Sequence, residues 1–289
     1  MLAVLCALGS SLMYALASVM QQRSAAAEDQ AHSMRLGLLT RLVQNPVWLL
    51  GIGADIAGFV LQFIALGHGS LVLVQPLLVA GLLFALPIGV RFAGLHLHPR
   101  DWAAAAAGCA GLSVFLTVAA PAQGHNNVRV HIWVLLLTSS AVVTVAVVAL
   151  ALRSAPRRKA VLLSGAAGVI YGVSAALAKT SAHLLSRGLV HLLTHWEPYM
   201  LLFAGAIGML IAQSAFQAGA LDASLPTMTV VDPVVSILIG AVAFGESIDS
   251  GWLESSVEIA ALALMVAGVF VLAQSKAVLA VREIPPTPV

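Results

Sequence analysis

The chain carries very little charge. Asp, Glu, Lys and Arg make up 9% of its 289 residues, whereas soluble domains carry roughly 25%. Hydrophobic residues make up 60%, and the mean hydropathy is +0.99. A water-exposed surface cannot be built from this composition. It excludes a soluble globular protein and predicts an all-α protein that crosses the bilayer several times, since a lipid-exposed backbone must satisfy its own hydrogen bonds.

Cysteine is scarce, and the familiar catalytic motifs are missing from the sequence. Cys6 and Cys109 both fall inside apolar runs, so neither a disulfide framework nor a zinc cluster is indicated. We find no phosphate-binding Gly-Lys loop, no convincing catalytic triad and no metalloprotease motif. We therefore expect neither an enzyme nor an ATP-driven pump, and no cofactor.

Long apolar runs dominate what the sequence does contain. Runs of about 20 residues without alternation are typical of transmembrane helices and not of barrel strands. We predict about nine spans, at 3–22, 47–67, 70–91, 102–120, 130–152, 160–182, 198–219, 223–245 and 252–274.

The distribution of Lys and Arg predicts the orientation of these spans. With nine spans and an extracellular N-terminus, most of the 14 basic residues fall in cytoplasmic segments, as the positive-inside rule requires. Arg129 and Arg187 would lie outside, and Lys179 would lie within the membrane. We predict a multi-pass protein of the cell (plasma) membrane with a cytoplasmic C-terminus. The lipid bilayer is its expected partner, nucleic acid is not indicated, and a homodimer is left open.

Two stretches of the first half are repeated in the second half. "GSSLMYALASVMQQRSA" (9–25) matches "AAGVIYGVSAALAKTSA" (166–182), and this match pairs Tyr14 with Tyr171. A second match, between residues 65–78 and 219–235, pairs Gln75-Pro76 with Asp232-Pro233. Spans 1–4 therefore repeat as spans 6–9. Because a fifth span separates them, the two copies are inverted, an arrangement that suits alternating access around a central site.

These matches divide the single membrane domain, 1–289, into parts. The first repeat covers 1–122, a linker span covers 123–156, and the second repeat covers 157–276. We expect the remaining residues, 277–289, to form a flexible cytoplasmic tail.

Asp55 and Asp232 are the residues whose burial in the bilayer should cost the most free energy. A charged side chain at the bilayer centre costs at least about 2.5–3.5 kcal/mol. Each lies about eight or nine residues into a span that starts at the cytoplasm, so both should be about 12 Å deep, near the midplane. This shared depth suggests one cavity, in which both are candidate metal ligands. The alternative is that each is a structural residue hydrogen-bonded to polar neighbours.

Other polar residues in the spans complete the predicted solute path. Gln62 follows Asp55 by seven residues and shares its helical face, and Thr229 and Ser236 flank Asp232. Pro233 directly follows Asp232 and should kink its helix. The remaining candidates are Gln75, which precedes Pro76, and Tyr14, Tyr171, Gln213, Gln217 and Lys179. Interhelical hydrogen bonding is an equal alternative for Gln213 and Gln217.

Charged residues near the predicted outer face each have two interpretations. Lys179 could snorkel outward or pair with a carboxylate. Glu246, Asp249, Glu254 and Glu258 cluster between the last two spans. A vestibule that attracts cations is one interpretation of this cluster, but we favour a solvated loop.

The repeated residues also carry a resemblance to a known family. "ALDASLPTMTVVDPVVSILIGAVAFGE" (220–246) resembles the second-half signature of the drug/metabolite transporter superfamily, a helix with a mid-span Pro that closes on Gly-Glu. Within that superfamily the chain resembles the NIPA branch, which is associated with magnesium transport. Asp55, Phe59 and "LVQP" (73–76) stand where that branch has an acidic residue, an aromatic and an "LV-x-P" element.

In the second half the resemblance rests on three further features. They are a Gln at 213 or 217, "ALD" (220–222) and "VDP" (231–233). Lys179 corresponds to a late Lys of the sixth span in that branch. The chain departs from the branch at three positions. Members usually carry Glu at the position of Asp55, and Thr or a similar residue at the positions of Gln75 and Asp232. The resemblance implies a magnesium transporter.

Three functions are consistent with the sequence. The first is a secondary transporter or facilitator of a small polar solute, such as Mg²⁺ or another divalent cation, which carboxylates hold with several waters retained. The second is a proton-coupled exporter of an organic metabolite or drug, although aromatic residues make up only 6% of the chain. The third is a membrane scaffold that transports nothing.

Overall fold

A computed structural model describes residues 1–26, 45–81, 83–84, 88, 98–118, 121–122, 124–125, 128–218, 221–248 and 252–273. The helices that can be bounded within these residues are α1 (Leu2–Ala26), α2 (Pro46–His68), α3 (Leu71–Val79), α4 (Pro99–Val118), α5 (Val130–Leu152), α6 (Pro156–Ser186), α7 (Leu189–Thr194), α8 (Glu197–Ala218), α9 (Leu221–Ala243) and α10 (Trp252–Ala273). Two strands of two residues each, β1 (Pro121–Ala122) and β2 (Ser247–Ile248), pair antiparallel.

A helix lies at each predicted apolar run. Of the described helices, α2, α5 and α6 are long and apolar enough to cross a membrane. The bounded part of α3 ends at Val79, which is short of the predicted end at residue 91. The predicted tail, 277–289, lies outside the described residues.

The exposed surface of α5 indicates that lipid, and not water, surrounds this helix. Leu135, Val142 and Val145 are 69%, 67% and 69% exposed, and few residues of this helix are buried. A continuous apolar surface of this kind would be unfavourable in water. The fold is therefore that of an α-helical membrane protein.

Local sequence explains where several helices begin. The side chain of Asn45 caps α2 by accepting hydrogen bonds from Val47 N at 2.9 Å and Trp48 N at 3.4 Å. Pro46 occupies the first turn, where its missing N–H costs nothing. Ser70 caps α3 by accepting a hydrogen bond from Leu73 N at 3.2 Å. Only Gly69 and Ser70, both in extended conformation, separate α2 from α3.

The helices of the two halves pack in similar ways. In the first half, α1 packs against α2 and α3, and in the second half α6 packs against α8 and α9. The halves meet where α2 contacts α6, where α3 contacts α9, and where α4 contacts α10. The most deeply buried large side chains include Leu66, Leu71, Leu77, Leu177 and Phe244.

Candidate functional site

A cavity of about 840 Å³ lies between α1, α2, α3, α6, α8 and α9. It is lined by seven of the ten residues predicted for the solute path, namely Tyr14, Asp55, Gln62, Gln75, Tyr171, Thr229 and Asp232. These residues come from both halves of the chain. Side chains separated by more than 200 positions in the sequence thus meet around one space.

The cavity has an acidic lining. Asp55 reaches it from α2 and Asp232 from α9. Among the lining residues of the described chain there is no Lys, Arg or His. Ionised carboxylates in a low-dielectric cleft attract cations and repel anions.

Hydrogen bonds fix several lining side chains. Tyr14 Oη donates to Gln62 Oε1 at 2.8 Å and so joins α1 to α2 at the cavity wall. Ser236 Oγ, one turn beyond Asp232, donates to Asp232 Oδ1 at 3.3 Å. This hydrogen bond involves Oδ1 of Asp232 and not its Oδ2.

Gln75 presents a polar group that the described chain does not satisfy. Its side chain is 2% exposed, and Nε2 has no hydrogen-bond partner among the described residues. A buried donor without a partner costs about 1–3 kcal/mol. Because Gln75 lines the cavity, this unsatisfied donor belongs to the cavity wall.

The rest of the wall is largely apolar. Phe59, Leu78, Leu201 and Met228 are among the residues that form it. In the described part of the chain, no group of three or more His, Cys, Asp or Glu side chains is placed to hold a metal ion. Asp55 and Asp232 therefore remain a pair of carboxylates in a wide chamber, which differs from a tight all-protein metal cage.

Lys179, predicted for the solute path, is paired with a carboxylate beside the cavity. It forms a salt bridge with Glu246, and the two side chains are 4% and 0% exposed. Of the interpretations open from the sequence, pairing with a carboxylate is the one observed. Gln213 and Gln217 lie on α8, but their side chains are outside the described part of the structure.

The interpretation of Glu246 as part of a solvated loop is wrong. Glu246 is 4% exposed, and its carboxylate accepts hydrogen bonds from Leu71 N at 3.0 Å and Val72 N at 3.1 Å. The positive φ of Gly245, 61°, turns the chain back after α9 and directs Glu246 inward. The Gly-Glu step was visible in the sequence, but its partners were not. The side chains of Asp249, Glu254 and Glu258 lie outside the described ones.

The apolar exterior and the cavity together define an α-helical membrane protein with a partly open, mainly apolar cavity that carries two carboxyl groups. No family model and no solved structure matches the chain. A curated protein of Corynebacterium glutamicum, itself described as uncharacterized, is 30% identical over 281 residues, which cover 95% of this chain and 96% of that protein. The chain belongs to the same family as this corynebacterial protein.

Proposed function

We propose that the protein is a secondary transporter or facilitator that moves a small cationic solute through the cavity between its two halves. The observation that carries this proposal is the meeting of Asp55 and Asp232 on one cavity without a basic residue among its described lining. Intramembrane carboxylates are expensive to bury, and they normally mark ion or substrate pathways.

We also propose the number and orientation of the membrane spans and the family of the chain. The chain would cross the plasma membrane about nine times, with the N-terminus outside and two inverted four-helix repeats. The similar packing of α1 on α2 and α3 and of α6 on α8 and α9 supports the repeats. We further propose membership of the drug/metabolite transporter superfamily, near its NIPA branch, on the residues quoted above.

A divalent cation such as Mg²⁺ is one candidate solute. Mg²⁺ dehydrates reluctantly and is often bound through one or two carboxylates while it keeps several waters. A wide cavity with two carboxylates, two Tyr hydroxyls and the amides of Gln62 and Gln75 could hold such a hydrated ion.

A proton-coupled exporter of an organic cation is the second candidate, and the apolar wall favours it. A volume of about 840 Å³ falls within the roughly 300–1,000 Å³ of sites that enclose drug-sized ligands. Phe59, Leu201 and Met228 would contact the organic part of such a solute, while Asp55 and Asp232 would neutralise its charge.

Uptake into proteoliposomes separates these candidates. Vesicles that contain the purified protein would be loaded with a Mg²⁺-sensitive dye, and parallel vesicles would receive a radiolabelled quaternary ammonium ion under an imposed proton gradient. Mg²⁺ entry that ignores the proton gradient supports the first candidate. Ammonium flux that follows the gradient supports the second, and no flux of either probe contradicts both.

A further inference from the structure

The salt bridge between Lys179 and Glu246 joins three separate parts of the fold. Lys179 comes from α6, and Glu246 follows α9. The same carboxylate accepts hydrogen bonds from Leu71 N and Val72 N, which are the first backbone donors of α3. A helix N-terminus favours a negative charge, so Glu246 is held by a lysine and by the start of a helix at once.

Aromatic rings enclose this pair on one side. Lys179 Nζ lies 4.7 Å from the ring centroid of Phe244. Trp133 packs edge-on against Phe244 with centroids 6.4 Å apart, and Trp196 packs edge-on against Trp133 at 5.5 Å. The pair is therefore shielded from water by rings from α5, from the residue that follows α9 and from the residue that precedes α8.

The pair lies at one end of the cavity, which we name the α2–α3 end because α2 ends there and α3 begins there. On α6, Ala178 lines the cavity and Lys179 is the next residue. On α3, Gln75 lines the cavity one turn after Leu71. Leu71 and Phe244 have no exposed surface, so the ion pair next to these lining residues is surrounded by tightly packed side chains.

We propose that the Lys179–Glu246 salt bridge is the gate of the cavity at its α2–α3 end, and that it parts when solute passes. This inference rests on the proposed transport function, in whose topology the α2–α3 end is extracellular. An ion pair suits a contact that opens and closes, because water that enters the opened end solvates both charges. Stability alone does not require an ion pair here, since neutral residues of similar size often replace buried ion pairs without loss.

Cysteine accessibility tests the gate without knowledge of the solute. Cys6 and Cys109 are both free, and both would first be replaced by Ala. Ser174→Cys then places a reporter on the cavity wall, and Ser164→Cys places a control on the same helix at a residue with no exposed surface. A membrane-impermeant thiol reagent would be added to oriented vesicles from the α2–α3 side only.

The variant to compare with wild type is Lys179→Met/Glu246→Gln, which removes both charges and leaves no unpaired ion. We expect it to speed labelling of Ser174→Cys by about tenfold or more, which corresponds to about 1.4 kcal/mol in the closing equilibrium, while Ser164→Cys stays protected. Lys179→Arg, which keeps the charge, should leave labelling slow.

Two results would overturn the gate. Labelling of Ser174→Cys at the wild-type rate would mean that the end stays closed without the salt bridge. Equal acceleration at Ser174→Cys and Ser164→Cys would mean that the pair holds the fold as a whole. Because labelling requires no transported solute, neither result depends on whether the proposed transport function is correct.

Discussion

Gly58 lies directly against the ring of Tyr14. A Cβ atom at Gly58 would come within 2.9 Å of Tyr14 Cδ1, and in the second half a Cβ at Gly208 would come within 2.9 Å of Tyr171 Cε1. The two tyrosines line the cavity. Both halves thus use a glycine on one helix to admit the tyrosine of its neighbour.

We expect Gly58→Ala and Gly208→Ala to lower the free energy of unfolding by about 1–3 kcal/mol, since each added methyl group would overpack the neighbouring ring. Thermal unfolding in detergent would measure the change. Gly53 and Gly205 are matched controls on the same two helices, because a Cβ at either meets nothing within 4 Å. Alanine there should be neutral or stabilising. Equal stability of Gly58→Ala and Gly53→Ala would refute the close packing.

The hydrogen bond from Tyr14 Oη to Gln62 Oε1 should contribute measurably to the α1–α2 contact. In a double-mutant cycle of Tyr14→Phe and Gln62→Met, we expect a coupling energy of about 0.5–1.5 kcal/mol. Chemical denaturation in mixed micelles would provide the four free energies of unfolding. Strict additivity of the two substitutions would show that the bond contributes nothing.

A side chain that fills the cavity should block transport without unfolding the protein. Gly205 lines the cavity, and a Cβ there points into open space. We expect Gly205→Leu to reduce flux about tenfold or more, since misfit by even one methylene in a pocket has effects of this order. The melting temperature should change little.

The control for this substitution is Gly53→Leu, which adds the same side chain to an equally open position outside the lining of the cavity. It should transport like wild type. Equal flux through both variants would indicate that solute does not use this cavity.

The helices and seven polar residues of the cavity wall could be predicted from the sequence because both follow from local pattern. Apolar runs of spanning length predict helices, and the equal depth of Asp55 and Asp232 in their spans predicts that they can meet. The repeat adds Tyr14 and Tyr171, which line the cavity together. Each of these inferences needs only spacing along one helix or a comparison of two segments.

The salt bridge of Lys179 and Glu246 could not be predicted in the same way. Its partners are 67 residues apart, and Glu246 follows the end of its helix, where an acidic residue is usually solvated. Only the turn at Gly245 and the packing of α3 against α9 bring the carboxylate to Leu71 N. Tertiary packing thus decides the environment of a charge that local pattern leaves open.

Flux through vesicles that contain Asp55→Asn, Asp232→Asn or both tests the central claim most directly. Uptake of Mg²⁺ and of the quaternary ammonium ion would be measured side by side, with Glu197→Gln as a control, because Glu197 is a buried carboxylate that does not line the cavity. We expect the double variant to lose about tenfold or more of the flux, since a contact to a charged group contributes about 1.5–3 kcal/mol, while the control transports normally. Wild-type flux in the folded double variant would contradict a cation path along Asp55 and Asp232.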